Sequence, residues 1–148
     1  LAAHPDVVTV WLAVNDLKDG VPLASYERQL DRLVGALTAT GAVVAVGNLP
    51  DLSALPVAQT ALGQFGPSGR AMVHAEIARW NAEIARVVRK HGAVLVDLHA
   101  GWKEVRAHPE YLSADGFHPS SEGYRVLAQL WRGRLEAAGA FSRLRAGE

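Results

Sequence analysis

Cysteine is absent from the 148 residues. This excludes disulfides, thiolate metal sites, iron–sulfur clusters and a cysteine nucleophile. Net charge is absent as well: Lys+Arg and Asp+Glu each number 15, and no block of one sign occurs. Without a basic field to condense on phosphates, no nucleic-acid partner is expected. No apolar run approaches the ~20 residues that cross a bilayer, so no integral membrane segment is expected. The six histidines lack His-Glu-x-x-His or comparable spacing, and no Gly-rich phosphate loop follows a strand. Neither a metal nor another cofactor is therefore expected. An initiating methionine is also lacking. The chain opens on a helix-like Leu1-Ala2-Ala3-His4-Pro5, which reads as a start inside a longer protein. Localisation stays unassigned, because any signal peptide would lie upstream.

What is present reads as one α/β domain. Apolar residues make up 49% of the chain and charged residues 20%, a globular balance that disfavours disorder. Asp6 to Leu12, Ala42 to Val46 and Ala93 to Val96 are short, Val-rich and continuously apolar, as for parallel strands covered on both faces. Between and after them, apolar residues recur at helical spacing. One set is Tyr26, Leu30, Leu33, Val34 and Leu37; another is Val73, Ile77, Trp80, Ile84, Val87 and Val88. A third is Tyr124, Leu127, Trp131 and Leu135. Gly41 and Gly92 stand where two of these helices must stop before a strand, the place for a left-handed closing residue. The order β-α-β-α-β-α predicts a partial doubly wound, flavodoxin-like parallel sheet with right-handed crossovers. Two irregular stretches, Pro50 to Gly69 and Gly101 to Phe117, approach the carboxyl ends of the strands, where such sheets bind ligands.

Few residues are placed to do chemistry. Asn15 and Asp16 follow the first strand. An Asn amide can donate to an oxyanion that exists only in a transition state, but Asn-Asp equally suits a plain turn. Asp115-Gly116-Phe117-His118-Pro119 precedes the last helix. Asp and His three apart on a tight turn can join through one imidazole nitrogen, leaving the other as a general base. The same residues also suit an Asp-Gly turn into a helix capped by Ser120 or Ser121. No Gly-x-Ser-x-Gly occurs. Ser68, in Gly66-Pro67-Ser68-Gly69, reads as a helix start, and Ser113 precedes a turn rather than a strand-to-helix elbow, so neither is taken as a nucleophile. Trp11 and Trp80 read as core, Asp97 as the cap of a turn beside His99, and Trp102, Phe117 and Tyr111 as possible walls of an acyl or leaving-group pocket.

The run VVTVWLAVNDL resembles the third sequence block of the SGNH/GDSL-type serine hydrolases, and SADGFHPSSEGYRVLA resembles their fifth. The resemblance implies an esterase or lipase in which Asn15 is an oxyanion donor, His118 the general base and Asp115 the residue that orients it. It implies a small-molecule, lipid or carbohydrate ester as substrate. Two features depart from the pattern. Ala13 stands where the family has Gly, and the Gly-Asp-Ser block that carries the nucleophile is absent, as is the block of the second oxyanion donor. Residues 1–148 are thus expected to form the C-terminal part of one such domain, its partner being the missing N-terminal part. At ~30 residues per βαβ unit, two missing βα units imply on the order of 60 residues or more. The alternative is a non-catalytic SGNH-like or flavodoxin-like binding domain, marked by an upstream phosphate loop or no upstream Gly-Asp-Ser.

Either way the first strand would present an unpaired edge. Residues 1–148 produced alone are therefore expected to self-associate and to hydrolyse no ester. Sedimentation and thermal unfolding test this, and a cooperative melt of a monomer would contradict it.

Overall fold

A computed structural model describes residues 4–56, 58–59 and 66–145. Leu1 to Ala3 of the helix-like opening, and Gly63 of the first long loop, lie outside the described residues. The elements are β1 (Val7–Val10), α1 (Ala13–Lys18), α2 (Leu23–Thr38), β2 (Val43–Gly47) and α3 (Gly66–Lys90). They continue with β3 (Val94–Val96), α4 (Leu98–Ala107), α5 (Ser121–Ala137) and α6 (Ala140–Arg145). Short 3-10 turns occupy Leu52–Ala54 and Pro109–Tyr111.

The three strands form one parallel sheet in the order β1-β2-β3. Val7 pairs with Val43 and Val10 with Val46, while Ala45 pairs with Val94 and Gly47 with Val96. Alternate side chains of a strand point to opposite faces, and the two faces carry separate cores. On one face, Val10, Val44 and Val46 pack with Tyr26, Leu30 and Val34 of α2 and with Ile77, Trp80, Ile84 and Val87 of α3. On the other, Ala45 and Val96 pack with Leu98 and Trp102 of α4, Leu127 and Leu135 of α5, and Ala140 of α6. The chain is therefore α/β, with helices on both sides of the sheet. Trp80 is fully buried, stacks at 4.5 Å on Tyr26, and satisfies its indole N–H by donating to Glu76 Oε1 at 3.0 Å.

The predicted strands and helical faces are recovered within a residue or two, and three expectations are corrected. Gly101 to Phe117 is not one irregular stretch, because α4 runs through Ala107. The long loop after β2 contains a 3-10 turn and ends earlier than Gly69, since α3 already starts at Gly66. Burial on both faces holds for β2 but not for β1, where Thr9 is exposed because no described element covers it. Among the described residues β1 pairs with β2 alone. The far edge is partly blunted, since Arg134 Nε donates to the carbonyl of Leu95 at 3.1 Å.

Gly41 (φ 85°) and Gly92 (φ 64°) do adopt the left-handed conformation after α2 and α3. Gly123 matters for a different reason. A Cβ there would lie 2.1 Å from the carbonyl oxygen of Tyr111, so only glycine lets the first turn of α5 press on that backbone. Gly133, later in α5, has open space where its Cβ would be. Gly123→Ala is expected to destabilise the protein by about 1–3 kcal/mol through overpacking. Gly133→Ala is expected to stabilise it by about 0.5–1 kcal/mol through helix propensity. Urea unfolding of both variants checks the contrast, and equal effects would contradict it.

Candidate active site

The segment between α4 and α5 is a compact turn held at both ends. Leu112 and Pro119 face each other in an isolated antiparallel bridge. Next to it, Ser120 N–H donates to the Tyr111 carbonyl at 2.8 Å and Ser120 Oγ donates to the Glu110 carbonyl at 2.7 Å. The Ser120 hydroxyl also accepts from Gly123 N–H at 3.2 Å, so Ser120 is the N-cap of α5. At the tip, Asp115 Oδ1 accepts from Ser113 Oγ at 2.6 Å and from the N–H groups of Phe117 and His118, both at 2.9 Å. Asp115 Oδ2 accepts from His118 Nδ1 at 2.6 Å. The capped turn and the Asp-His pair, set against each other in the sequence, are one structure.

Four donors on one carboxylate favour its charged form. The Ser113 hydroxyl, then the His118 imidazole, then the two backbone amides hold Asp115 well below the usual carboxylate range. With Asp115 ionised, its bond to Nδ1 fixes the His118 tautomer as Nδ1–H. Nε2 carries no hydrogen bond to any described residue, and the His118 side chain is 63% exposed. Phe117 meets the imidazole edge-on at 4.9 Å.

Asn15 lies on α1 instead of a turn, which corrects the turn reading: a short helix, not an Asx turn, carries the Asn-Asp pair past the end of β1. Its side-chain amide makes no hydrogen bond to a described residue, and Ala13 beside it is fully buried in the first core. Asn15 and His118, 103 positions apart by their numbers (118 − 15), line one cleft of about 300 Å³. Among the described residues its other walls are Trp11, Leu12, Val14, Pro50, Leu52, Trp102, Phe117, Pro119 and Tyr124, with no Lys, Arg, Asp or Glu. Trp102 and Phe117 take the wall positions proposed for them, whereas Tyr111 stacks on His108 at 4.7 Å and is not part of the lining. Tyr124, in helical phase with Leu127 and Leu135, is 53% exposed and lines the cleft with Leu12. Trp11 is only partly buried, and its enclosed Nε1 has no hydrogen-bond partner among the described residues.

Several supporting residues went unnoticed in the sequence. Asn48, just past β2, is 5% exposed. It donates to Asp97 Oδ1 at 2.9 Å and accepts from His99 N–H at 3.0 Å, tying β2 to the start of α4. Asp97 does cap its turn, accepting also from Ala100 N–H at 3.0 Å. Asn81 of α3 accepts from Leu49 N–H at 2.8 Å and donates to the Leu49 carbonyl at 2.9 Å, locking the backbone beside Pro50. Ser53 donates to Asp51 at 2.6 Å and lies 2.9 Å from His74 Nε2, which holds the Leu52 wall against α3. Ser53 is 4% exposed, too enclosed to meet a substrate. The one available signal was a polar residue, Asn81, inside an otherwise apolar helical stripe.

The sequence profile of the GDSL-like Lipase/Acylhydrolase family matches residues 1–126. The chain belongs to that family. The match ends inside α5 and so takes in β1 to β3, Asn15 and the Asp115–His118 turn. The GDSL-like esterase Rv1075c of Mycobacterium tuberculosis is 31% identical over 128 residues, which are 85% of this chain and 38% of that protein. The crystal structure of LAE5, an alpha/beta hydrolase enzyme from the metagenome of Lake Arreo, Spain, superposes with a TM-score of 0.67 at 22% identity. That superposition covers 94% of this chain and 62% of LAE5, and it shows a shared fold. The chain thus spans well under half of the curated family relative and under two thirds of the solved one. Among the described residues, no helix is long and apolar enough to cross a membrane.

Because hydrogen bonding depresses the folded-state pKa of Asp115, its contribution to the turn is complete above the ordinary carboxylate value near pH 4 and is lost as the pH falls through the depressed value. The Asp115 carboxyl carbon is therefore expected to titrate well below the ordinary carboxylate range in an NMR acid titration. In Ser113→Ala its midpoint moves back toward that range. A midpoint within the ordinary range in the unaltered protein would contradict the assigned bonds.

Proposed function

We propose that this chain contributes the general base, its carboxylate partner and an oxyanion donor to an ester hydrolase whose nucleophilic serine lies outside residues 1–148. In this reading the chain is the C-terminal part of a single SGNH-type domain. The observation that carries it is the 2.6 Å bond from His118 Nδ1 to an ionised Asp115, with Nε2 bonded to no described residue beside the cleft that also holds Asn15. Family membership supports the reaction class.

The serine hydroxyl attacks the ester carbonyl as His118 Nε2 takes its proton, and Asp115 stabilises the imidazolium formed. The Asn15 amide donates to the oxyanion of the tetrahedral intermediate, a bond of full strength only once that charge develops. Collapse expels the alcohol, which takes the proton back from His118. A water then attacks the acyl-serine with His118 as base, releasing the acid and restoring the serine. A cleft whose described lining carries no Lys, Arg, Asp or Glu suits an uncharged ester, and its indole, phenyl and leucine walls suit the apolar part of that ester.

The test is hydrolysis of short-chain nitrophenyl esters by the full-length protein that carries this chain. His118→Ala is expected to lower kcat by ~10³-fold or more, through loss of the base. Asn15→Ala should lower kcat by roughly 10²–10³-fold with little change in KM. Asp115→Asn should do less harm than His118→Ala. Full turnover by His118→Ala sinks the proposal. If the unaltered protein hydrolyses nothing and no serine follows an upstream strand, the domain is a non-catalytic relative.

A further inference from the structure

We infer that Ser113 is a positioning residue that aims the Asp115 carboxylate at His118; the inference rests on the reading of His118 as the general base. Ser113 reaches the turn through each of its polar groups. Its N–H donates to the His118 carbonyl at 2.8 Å, its carbonyl accepts from Gly116 N–H at 3.0 Å, and its hydroxyl donates to Asp115 Oδ1 at 2.6 Å. Its own position is set next door by the Leu112–Pro119 bridge.

The need for such a residue follows from the carboxylate itself. Its two oxygens are chemically equal, and rotation about its terminal torsion is broad, so the bond to imidazole does not fix the plane alone. Here one oxygen is saturated and the other is reserved. Among the described residues, Oδ1 takes three donors, while Oδ2 takes only His118 Nδ1. Two of the three Oδ1 donors, the N–H groups of Phe117 and His118, belong to the short segment that Asp115 itself opens. Ser113 Oγ is the third, and it comes from the opposite arm of the turn. It is therefore the donor that prevents the carboxylate from rocking about the Asp115–His118 segment. It also supplies the largest share of the hydrogen bonding that keeps Asp115 charged. A charged, oriented Asp115 holds His118 as the Nδ1–H tautomer, which leaves the lone pair on Nε2 where a base needs it. Ser113 meets His118 at its backbone carbonyl rather than at the imidazole, and its hydroxyl bonds Asp115, so the effect of that hydroxyl on the ring passes through Asp115.

The experiment compares Ser113→Ala and Ser113→Thr in the full-length protein. It reads kcat and KM for nitrophenyl esters together with the imidazole ¹⁵N signals of His118, recorded at about pH 8 where histidine is ordinarily neutral. Ser113→Ala should lose about tenfold in kcat with KM unchanged, as for one charge-assisted hydrogen bond. Its His118 should pass from a single Nδ1–H tautomer to a mixture. Ser113→Thr, which keeps the hydroxyl, should restore both. Wild-type kcat with a single tautomer in Ser113→Ala overturns the inference. So does equal impairment of the two variants, which would mean that packing of the turn matters and the hydroxyl does not. A tautomer shift in Ser113→Ala, in a protein that hydrolyses no ester before or after substitution, supports the hold on His118 and overturns the esterase reading instead.

Discussion

The arrangement at the end of the sheet depends on one buttressed carboxylate. Asp115 accepts hydrogen bonds from a side-chain hydroxyl, two backbone amides and an imidazole. Each donor lowers the free energy of its charged form, and together they convert a solvent-facing loop into a fixed turn. The turn is anchored by the Ser120 cap and by the close approach of Gly123 to the Tyr111 carbonyl. The geometry of the Asp115–His118 pair thus rests on α5, a helix built into the second core through Leu127 and Leu135. An exposed histidine on a loop is ordinarily free to sample many orientations. This one is restrained because its partner is restrained.

The cleft is built the same way, from mobile-looking segments tied to rigid elements. Pro50 and Leu52 lie in the connection after β2, yet Asn81 binds the Leu49 backbone on both its polar groups, and Ser53 is held between Asp51 and His74. Asn48 and Asp97 join the ends of β2 and β3 by a side-chain bond. These buried or half-buried polar groups satisfy one another, which is the condition for polar groups to stiffen a structure without a desolvation penalty. The result is a largely apolar cleft with His118 and Asn15 on its wall and no Lys, Arg, Asp or Glu among the described lining residues. The cleft lies beyond the carboxyl ends of the strands, where open parallel sheets bind ligands.

Much of this was legible in the residues. Val-rich runs of strand length and helical stripes such as Tyr26, Leu30, Val34 and Leu37 report burial through their period, which is a local property. Gly41 and Gly92 marked helix ends because few other residues tolerate a positive φ. The Asp115–His118 pair could be anticipated because three residues of a turn suffice to join them. What the residues did not reveal depended on distant surroundings. Tyr124 keeps helical phase with Leu127 and Trp131 but lines a cleft that the stripe could not reveal. Thr9 sits in a continuous apolar run, yet no described element lies over it.

Sequence alone therefore determined the α/β alternation, the positions of the strands and the chemical identity of the Asp-His turn, since each is set by hydrophobic period or by hydrogen bonds over a few residues. Tertiary structure decided that Asn15 and His118 share a cleft, that Asn48 and Asn81 brace its floor, and which donors crowd Asp115. Those relations join segments dozens of residues apart, or depend on how the two arms of a turn are held. For the distant segments it is the parallel sheet, with its strand ends gathered on one side, that brings them close enough to share a cleft or a hydrogen bond.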